Sequence, residues 1–231
     1  MVDGGSSSVG RLAAYRLEPY LRSQGINKLD YVLLSHLDED HISGVWELLD
    51  AGWPLGCLIL APQAAASENA RELLTLAGEK GVAVTCISSG AMICDGEVVL
   101  SCLNPAESAP GADPNESSLV MELRYRAFSL LLTGDIGHIT EEALLDRWTG
   151  VSLLKVAHHG SKGGTGERFL QKLSPQAAVI SCGKQNLYGH PHPDTLARLA
   201  NAGARLYQTK DSGAVIVSTD GKSFWIKTQI Q

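Results

Sequence analysis

Four times along this chain a short apolar run gives way to histidine and aspartate, and each time helical patterning follows. No other feature constrains the fold as strongly. Apolar runs of this length, bounded by turn signals, read as buried strands. A strand that ends in ligand-type side chains delivers them to one edge of its sheet. The first run, 29–35, leads into Ser35-His36-Leu37-Asp38-Glu39-Asp40-His41. The second, 128–132, leads into Thr133-Gly134-Asp135, and the third, 153–157, into His158-His159-Gly160-Ser161-Lys162-Gly163-Gly164. The fourth, 178–181, precedes Asn186-Leu187-Tyr188-Gly189-His190-Pro191-His192-Pro193.

The rest of the chain continues the alternation. Helices are expected over 42–49, closed by Gly52 and Pro54, over 140–148, 167–173 and 194–202, and from an N-cap at Ser67 to about residue 80, with Gly81 beyond. Further strands are expected at 57–60, 82–87, 97–103 and 118–125, with 128–132 as the return arm of the last. A turn-rich loop fills 104–116, and a hairpin over 214–218 and 223–227 turns through Asp220-Gly221. Antiparallel signals beside strand–helix units imply an α/β chain of layered sheets covered by helices.

The 231 residues, 44% of them hydrophobic, suit one domain spanning 1–231 with a sizeable core. No apolar run approaches the ~18 residues that cross a bilayer. The opening Met1-Val2-Asp3-Gly4-Gly5 lacks the basic and apolar regions of a signal peptide, so a soluble domain without signal or anchor is expected. The five cysteines, Cys57, Cys86, Cys94, Cys102 and Cys182, are odd in number and form no CxxC pair. They are expected to be reduced, buried and without a disulfide partner. A net charge of -6 argues against a generally basic nucleic-acid binder. It leaves room for a local phosphodiester site, where bound cations reverse the sign of the field.

The first cluster is the strongest. An acidic run alone reads as a solvated turn, but here two histidines bracket it, placing His36, Asp38, Asp40 and His41 within six residues. The i, i+2 spacing suits one ion, and the adjacent Asp40-His41 pair can reach a second. Asp135 ends a buried strand, where it either faces a site or caps the next helix. Adjacent His158 and His159 do not easily both face one ion; one can ligate while the other donates a proton or a hydrogen bond. Ser161 and the neighbouring glycines offer donors to a phosphate, although a plain glycine-rich loop is the bland alternative. His190 and His192 sit on a loop stiffened by prolines, unusual for a mere connection. His138 has no partner motif and reads as surface or capping. If the loops meet, they surround a dinuclear site with ions ~3.5–4 Å apart. The mixture of carboxylate and imidazole suits Mn²⁺ or Mg²⁺ as well as Zn²⁺. No phosphate-binding GxxxxGK[ST] loop, no strand-GxGxxG-helix fingerprint and no GxSxG elbow occurs.

These residues resemble the metallo-β-lactamase superfamily, whose HxHxDH loop is matched by His36-x-Asp38-x-Asp40-His41. Thr133-Gly134-Asp135 resembles its bridging aspartate, and Asp3-Gly4-Gly5 its structural aspartate. More narrowly, the chain is similar to the C-terminal domain of the ComEC competence proteins. The matching stretches are Asp3-Gly4-Gly5, Leu17 to Leu21, Ser35 to Gly44, Ser117 to Val120, Thr133 to Asp135, Lys155 to Ser161 and Tyr188 to Pro191. The resemblance implies a four-layer αββα sandwich and a metal-dependent nuclease that degrades one DNA strand during uptake in natural transformation. It implies two divalent ions, Mn²⁺ or Zn²⁺, held by His36, Asp38, Asp40, His41, Asp135 and one of His158 and His159. Asp40 would also orient the attacking water. The implied partners are single-stranded DNA and a membrane DNA-uptake channel, at the outer face of the bacterial cytoplasmic membrane.

On this reading Lys162 or Lys184 neutralises charge gathering on the phosphoryl oxygens, and Ser161, with Asn186 nearby, contacts the substrate. His159, His190 or His192 protonates the leaving oxygen. The family normally opens with two strands before its Asp-Gly-Gly, so the chain reads as a fragment or as a start inside a longer frame. It also lacks the family's third-motif histidine. With Asp38 in place of a histidine, that turns the expectation away from β-lactams and thioesters toward phosphodiesters. The competing readings are a small-molecule phosphodiesterase or ester hydrolase of the same fold, and a non-catalytic DNA- or channel-binding domain.

Overall fold

The computed structural model describes residues 1–107, 113–148 and 150–230. They divide into two units: Met1–Ser88 with Pro105–Leu119, and Ser89–Asn104 with Val120–Gln231.

The first unit runs α1 (Glu18–Ser23), β1 (Leu29–Leu33), α2 (Glu39–Asp50), β2 (Leu55–Leu60), α3 (Pro62–Ala65), α4 (Ala70–Glu79) and β3 (Ala83–Cys86). Its three strands form a parallel sheet in the order β1-β2-β3. Val45, Leu48 and Leu49 recur at helical spacing along α2 and pack with Val32, Leu58, Leu60 and Leu73. Several of these leucines are fully buried, each worth about 2–3 kcal/mol of transfer free energy. α2 ends as expected, with Trp53 N–H donating to Leu48 O (2.9 Å) across a left-handed Gly52 (φ 71°).

Two expectations need correction. α2 begins at Glu39 rather than at 42, so Asp40 and His41 occupy its first turn and not the preceding loop. Acidic residues favour that position because they complement the helix dipole. Ser67 is not an N-cap: its hydroxyl donates to Ala64 O (2.7 Å) and closes α3, and α4 starts separately at Ala70.

The chain's start lies against α2 and β1. Leu33 N–H donates to Met1 O (2.9 Å), Asp3 N–H to Leu33 O (2.8 Å) and Gly4 N–H to His41 O (2.9 Å). The approach is backbone on backbone: a Cβ at Gly44 would lie 2.2 Å from Gly4 O, and one at Gly5 2.5 Å from Asp40 C. Only glycine at both positions permits it.

The second unit contains β4 (Met92–Asp95), β5 (Val98–Asn104), β6 (Val120–Tyr125), β7 (Phe128–Leu132), α5 (His138–Leu144), β8 (Leu153–Lys155), α6 (Glu167–Leu173), β9 (Ala177–Ile180), α7 (Pro193–Asn201), β10 (Arg205–Gln208), α8 (Thr209–Ser212), β11 (Val215–Thr219) and β12 (Phe224–Thr228). Seven strands form one sheet, β10-β9-β8-β7-β6-β5-β4. β4 to β7 make an antiparallel meander, and β7 to β10 run parallel. The β11–β12 hairpin turns at Asp220-Gly221, where the Asp220 carboxylate accepts from Lys222 N–H (2.8 Å) and Ser223 N–H (2.7 Å). Leu131, Leu154, Val156, Phe169, Leu170 and Ile180 share a core on the helix-covered side.

Both units combine strands and helices, the expected α/β class. The loop expected over 104–116 falls partly on 108–112, outside the described residues. Among the described residues no helix is long and apolar enough to cross a membrane, and the cysteines are free. Only Cys102 is buried as expected; Cys86 and Cys94, on the edge strands β3 and β4, are exposed.

Candidate metal centre

In the first unit β1 delivers Ser35 and His36 to the loop that precedes α2. Ser35 is a buried hub: its N–H donates to Asp3 Oδ1 (2.7 Å) and its hydroxyl to Asp3 Oδ2 (2.8 Å). Nδ1 of His41 lies 2.9 Å from Asp3 Oδ2, and Ser35 Oγ lies 3.1 Å from His36 Nδ1. His36 and His41 are 2% and 3% exposed, with ring centroids 4.0 Å apart. A carboxylate on Nδ1 fixes the tautomer of His41 and makes Nε2 its acceptor nitrogen, the arrangement that supports metal-ligating histidines. Asp3 holds this post from a left-handed backbone (φ 49°), a region that aspartate tolerates better than most residues. His36 Nε2 lies 3.5 Å from Asp38 Oδ2, and the contact from His36 holds the Asp38 carboxyl below the usual carboxylate range. Asp40 is partly buried in the first turn of α2.

Asp3→Ala is expected to weaken divalent-metal affinity by about 10–100-fold, the usual cost of removing such an outer partner. A titration of Zn²⁺ or Mn²⁺ into metal-stripped protein, followed calorimetrically, measures it; unchanged affinity would refute the role.

In the second unit three parallel strands send their carboxyl ends to one edge, where open α/β sheets bind ligands. Their register is level, Leu132 opposite Lys155 and Lys155 opposite Val179. Asp135 follows β7 and is 3% exposed. Thr133 Oγ1 donates to Lys155 O (2.7 Å) and ties that turn to β8. His158 and His159 follow β8, both left-handed (φ 47° and 53°). This double kink turns both rings toward one carboxylate: their Nε2 atoms lie 3.8 and 3.4 Å from Asp135 Oδ2. His159 Nδ1 donates to Ser181 O (2.8 Å), just beyond β9, so its Nε2 is the acceptor nitrogen.

The remaining residues separate. His190 meets His158 edge to face, with centroids 5.7 Å apart. Burial, then the charges of His158 and His159, push its imidazole below the usual range. His192 caps α7: its Nδ1 accepts from Asp194 N–H (3.1 Å). Lys162 pairs with Asp194 (3.3 Å), Lys155 Nζ donates to Val156 O (3.0 Å), and Lys184 is exposed. Asn186 braces its own loop, donating to Gly183 O (2.9 Å) and His190 O (2.7 Å) and accepting from His190 N–H (2.7 Å). Ser161 is buried; its carbonyl accepts from Thr195 Oγ1 (2.7 Å) and its hydroxyl has no hydrogen-bond partner among the described residues. Arg198 donates to the carbonyls of Lys162, Gly164 and Thr165. Glu141 accepts from the N–H groups of Thr165 and Gly166, and burial pushes its carboxyl up. His138, expected to be surface or capping, sits half-exposed 3.2 Å from that carboxylate.

The spacings suit bound cations. Separations of 3.4 Å between His159 and Asp135, and 3.5 Å between His36 and Asp38, are long for a hydrogen bond. Two ligands ~2.1 Å from one ion at a tetrahedral angle stand about 3.4 Å apart. Imidazole nitrogen and carboxylate oxygen without thiolate fit Zn²⁺ and Mn²⁺. Sequence reasoning missed Ser35, Glu141 and Arg198 as supports. It could not have found Ser181, whose contribution is a backbone carbonyl.

Comparison with known proteins fits this geometry. Residues 1–100 match the model of the metallo-beta-lactamase superfamily. The chain is similar to ComE operon protein 3 of Bacillus subtilis, 35% identical over 86% of this chain and 26% of that protein. It is similar to competence protein ComA of Neisseria gonorrhoeae, 31% identical over 85% of this chain and 26% of that protein. The chain thus spans about a quarter of the length of these relatives. Among solved structures, the metallo-beta-lactamase fold protein YhfI of Bacillus subtilis aligns with a TM-score of 0.61 at 14% identity, over 98% of this chain and 86% of that one.

Proposed function

The chain has the metallo-beta-lactamase fold and is related to the ComEC-family competence proteins, and from that premise we propose that it is a metal-dependent phosphodiesterase that cleaves DNA during uptake. The observation that carries the reading is the approach of His158 and His159 to buried Asp135, at ligand spacing, on the carboxyl edge of parallel strands. His36, Asp38, Asp40 and His41 of the first unit, and Asp135 with one histidine of the 158–159 pair of the second, would hold the two divalent ions, Mn²⁺ or Zn²⁺. Such ions supply Lewis acidity toward phosphoryl oxygens and lower the pKa of water.

The protein's own groups do the rest. Asp3 and the Ser181 carbonyl engage Nδ1 of His41 and His159 and so orient Nε2 as the acceptor nitrogen, which supports His159 as the ligand of its pair. Asp40 orients the attacking water. His190 carries an imidazole N–H toward the leaving oxygen, whereas His192 is spent on α7. Lys162 and Lys184 attract the phosphate, and Ser161 positions the loop beside His159. Residues 1–231 act as one metallo-β-lactamase-like domain that works beside a membrane DNA channel, at the outer face of the cytoplasmic membrane.

Elemental analysis and single-stranded DNA cleavage, with and without Mn²⁺ on the same sample, test the reading. Two ions per chain and Mn²⁺-dependent cleavage are expected. Two ions without DNA cleavage would reassign the site to a small phosphodiester. Protein that holds no metal after reconstitution would leave a non-catalytic binding role.

A further inference from the structure

The fourth loop carries a feature that metal chemistry does not use. Leu187 and Tyr188 are 98% and 76% exposed, at the tip of the loop that bears His190. Tyr188 does not hang free. Its ring lies nearly parallel to that of His190, at 19°, with centroids 5.8 Å apart, and His190 in turn meets His158. A line of rings therefore runs from the ligand-type histidines outward to an exposed phenol.

The platform is held still. Asn186 bridges both ends of the loop, and His192 N–H donates to Gly160 O (2.8 Å). Pro191 packs so closely on Gly160 that a Cβ there would lie 2.6 Å from it. Exposed apolar side chains on a rigid loop beside a site mark a contact surface. The exposed Lys184 on the same loop adds a cation.

We propose that Tyr188, flanked by Leu187, is a stacking platform for a nucleobase next to the scissile phosphate, and that it selects single-stranded nucleic acid. The inference rests on the phosphodiesterase reading and names its substrate class. A flat aromatic face accepts any base, whereas bases in a duplex are already stacked on one another and unavailable to it.

The test compares wild type, Tyr188→Ala and Tyr188→Phe on an oligodeoxynucleotide strand, the same strand made abasic around the cut, and a duplex. Cleavage (kcat/KM) and binding, by fluorescence anisotropy, are both read. In wild type the intact strand is preferred over the abasic strand and the duplex. Tyr188→Ala reduces the preference for intact over abasic strand about tenfold in both readouts, and Tyr188→Phe restores it. A preference unchanged by Tyr188→Ala, or lost in Tyr188→Phe as well, overturns the platform. Absence of cleavage with a Tyr188-dependent binding preference overturns the catalytic reading and keeps the platform; absence of both overturns both.

Discussion

Asp135→Ala is expected to reduce phosphodiester cleavage by about a thousandfold or more while the protein stays folded. The buried carboxylate sits within 4 Å of two imidazoles. Removing an ionised ligand forfeits several kcal/mol of charge stabilisation, and each 1.36 kcal/mol is tenfold in rate. The change also removes a charge from the interior, whose burial has its own cost. Thermal stability of the metal-free protein is therefore expected to hold or rise while metal content falls. Asp135→Asn keeps the shape and loses the charge, and it is expected to share the defect. Full activity in either variant would eliminate Asp135 as a ligand. Lost activity with normal metal content would move it to substrate binding.

Gly44→Ala is expected to be the most damaging small change in the first unit, lowering stability by about 3 kcal/mol. In most exposed helix interiors the same swap stabilises by up to ~1 kcal/mol, because alanine is the better helix former. Here the added Cβ would stand 2.2 Å from Gly4 O and 2.7 Å from Leu17 Cδ1. The carbonyl cannot retreat alone. Gly4 N–H is bonded to His41 O, and its neighbour Asp3 holds Ser35 and His41. The damage should therefore extend to metal affinity. Gly78 in α4 supplies the control, since nothing lies within 4 Å of a Cβ there, and Gly78→Ala is expected to gain stability. Urea denaturation of both variants decides the matter. If Gly44→Ala matches Gly78→Ala, the close approach of the chain's start to α2 is wrong.

Much of this site was legible because its ligand-type residues are clustered in sequence and follow apolar runs. The strands before His36, Asp135 and His158 were all readable, and α6 falls where its pattern predicts. What escaped had physical reasons. The start of α2 was set three residues late because apolar periodicity begins at Ile42, whereas the helix is extended backward by acidic residues. β4 and β10 are edge strands of four residues, too short for alternation to show. Cys86 and Cys94 were expected inside, yet edge strands leave them exposed. The supports of the histidines were least visible. Asp3 was marked only by the family resemblance, since it is 38 residues from His41, and the Ser181 carbonyl has no side-chain signature. The convergence of His158 and His159 depends on two left-handed residues in succession, which nothing in their identity announces.

The loop over residues 161–165 has a consequence for how a polyanion approaches a protein of net charge -6. Five consecutive backbone carbonyls there are engaged internally. Ser161 O accepts from Thr195, Gly163 O from the His138 N–H, and those of Lys162, Gly164 and Thr165 from Arg198. The negative ends of five peptide dipoles next to the histidines are thereby neutralised within the fold. On the proposed reading, an incoming phosphate would meet less repulsion at that point than the overall charge would impose, so the work of bringing it in is set locally.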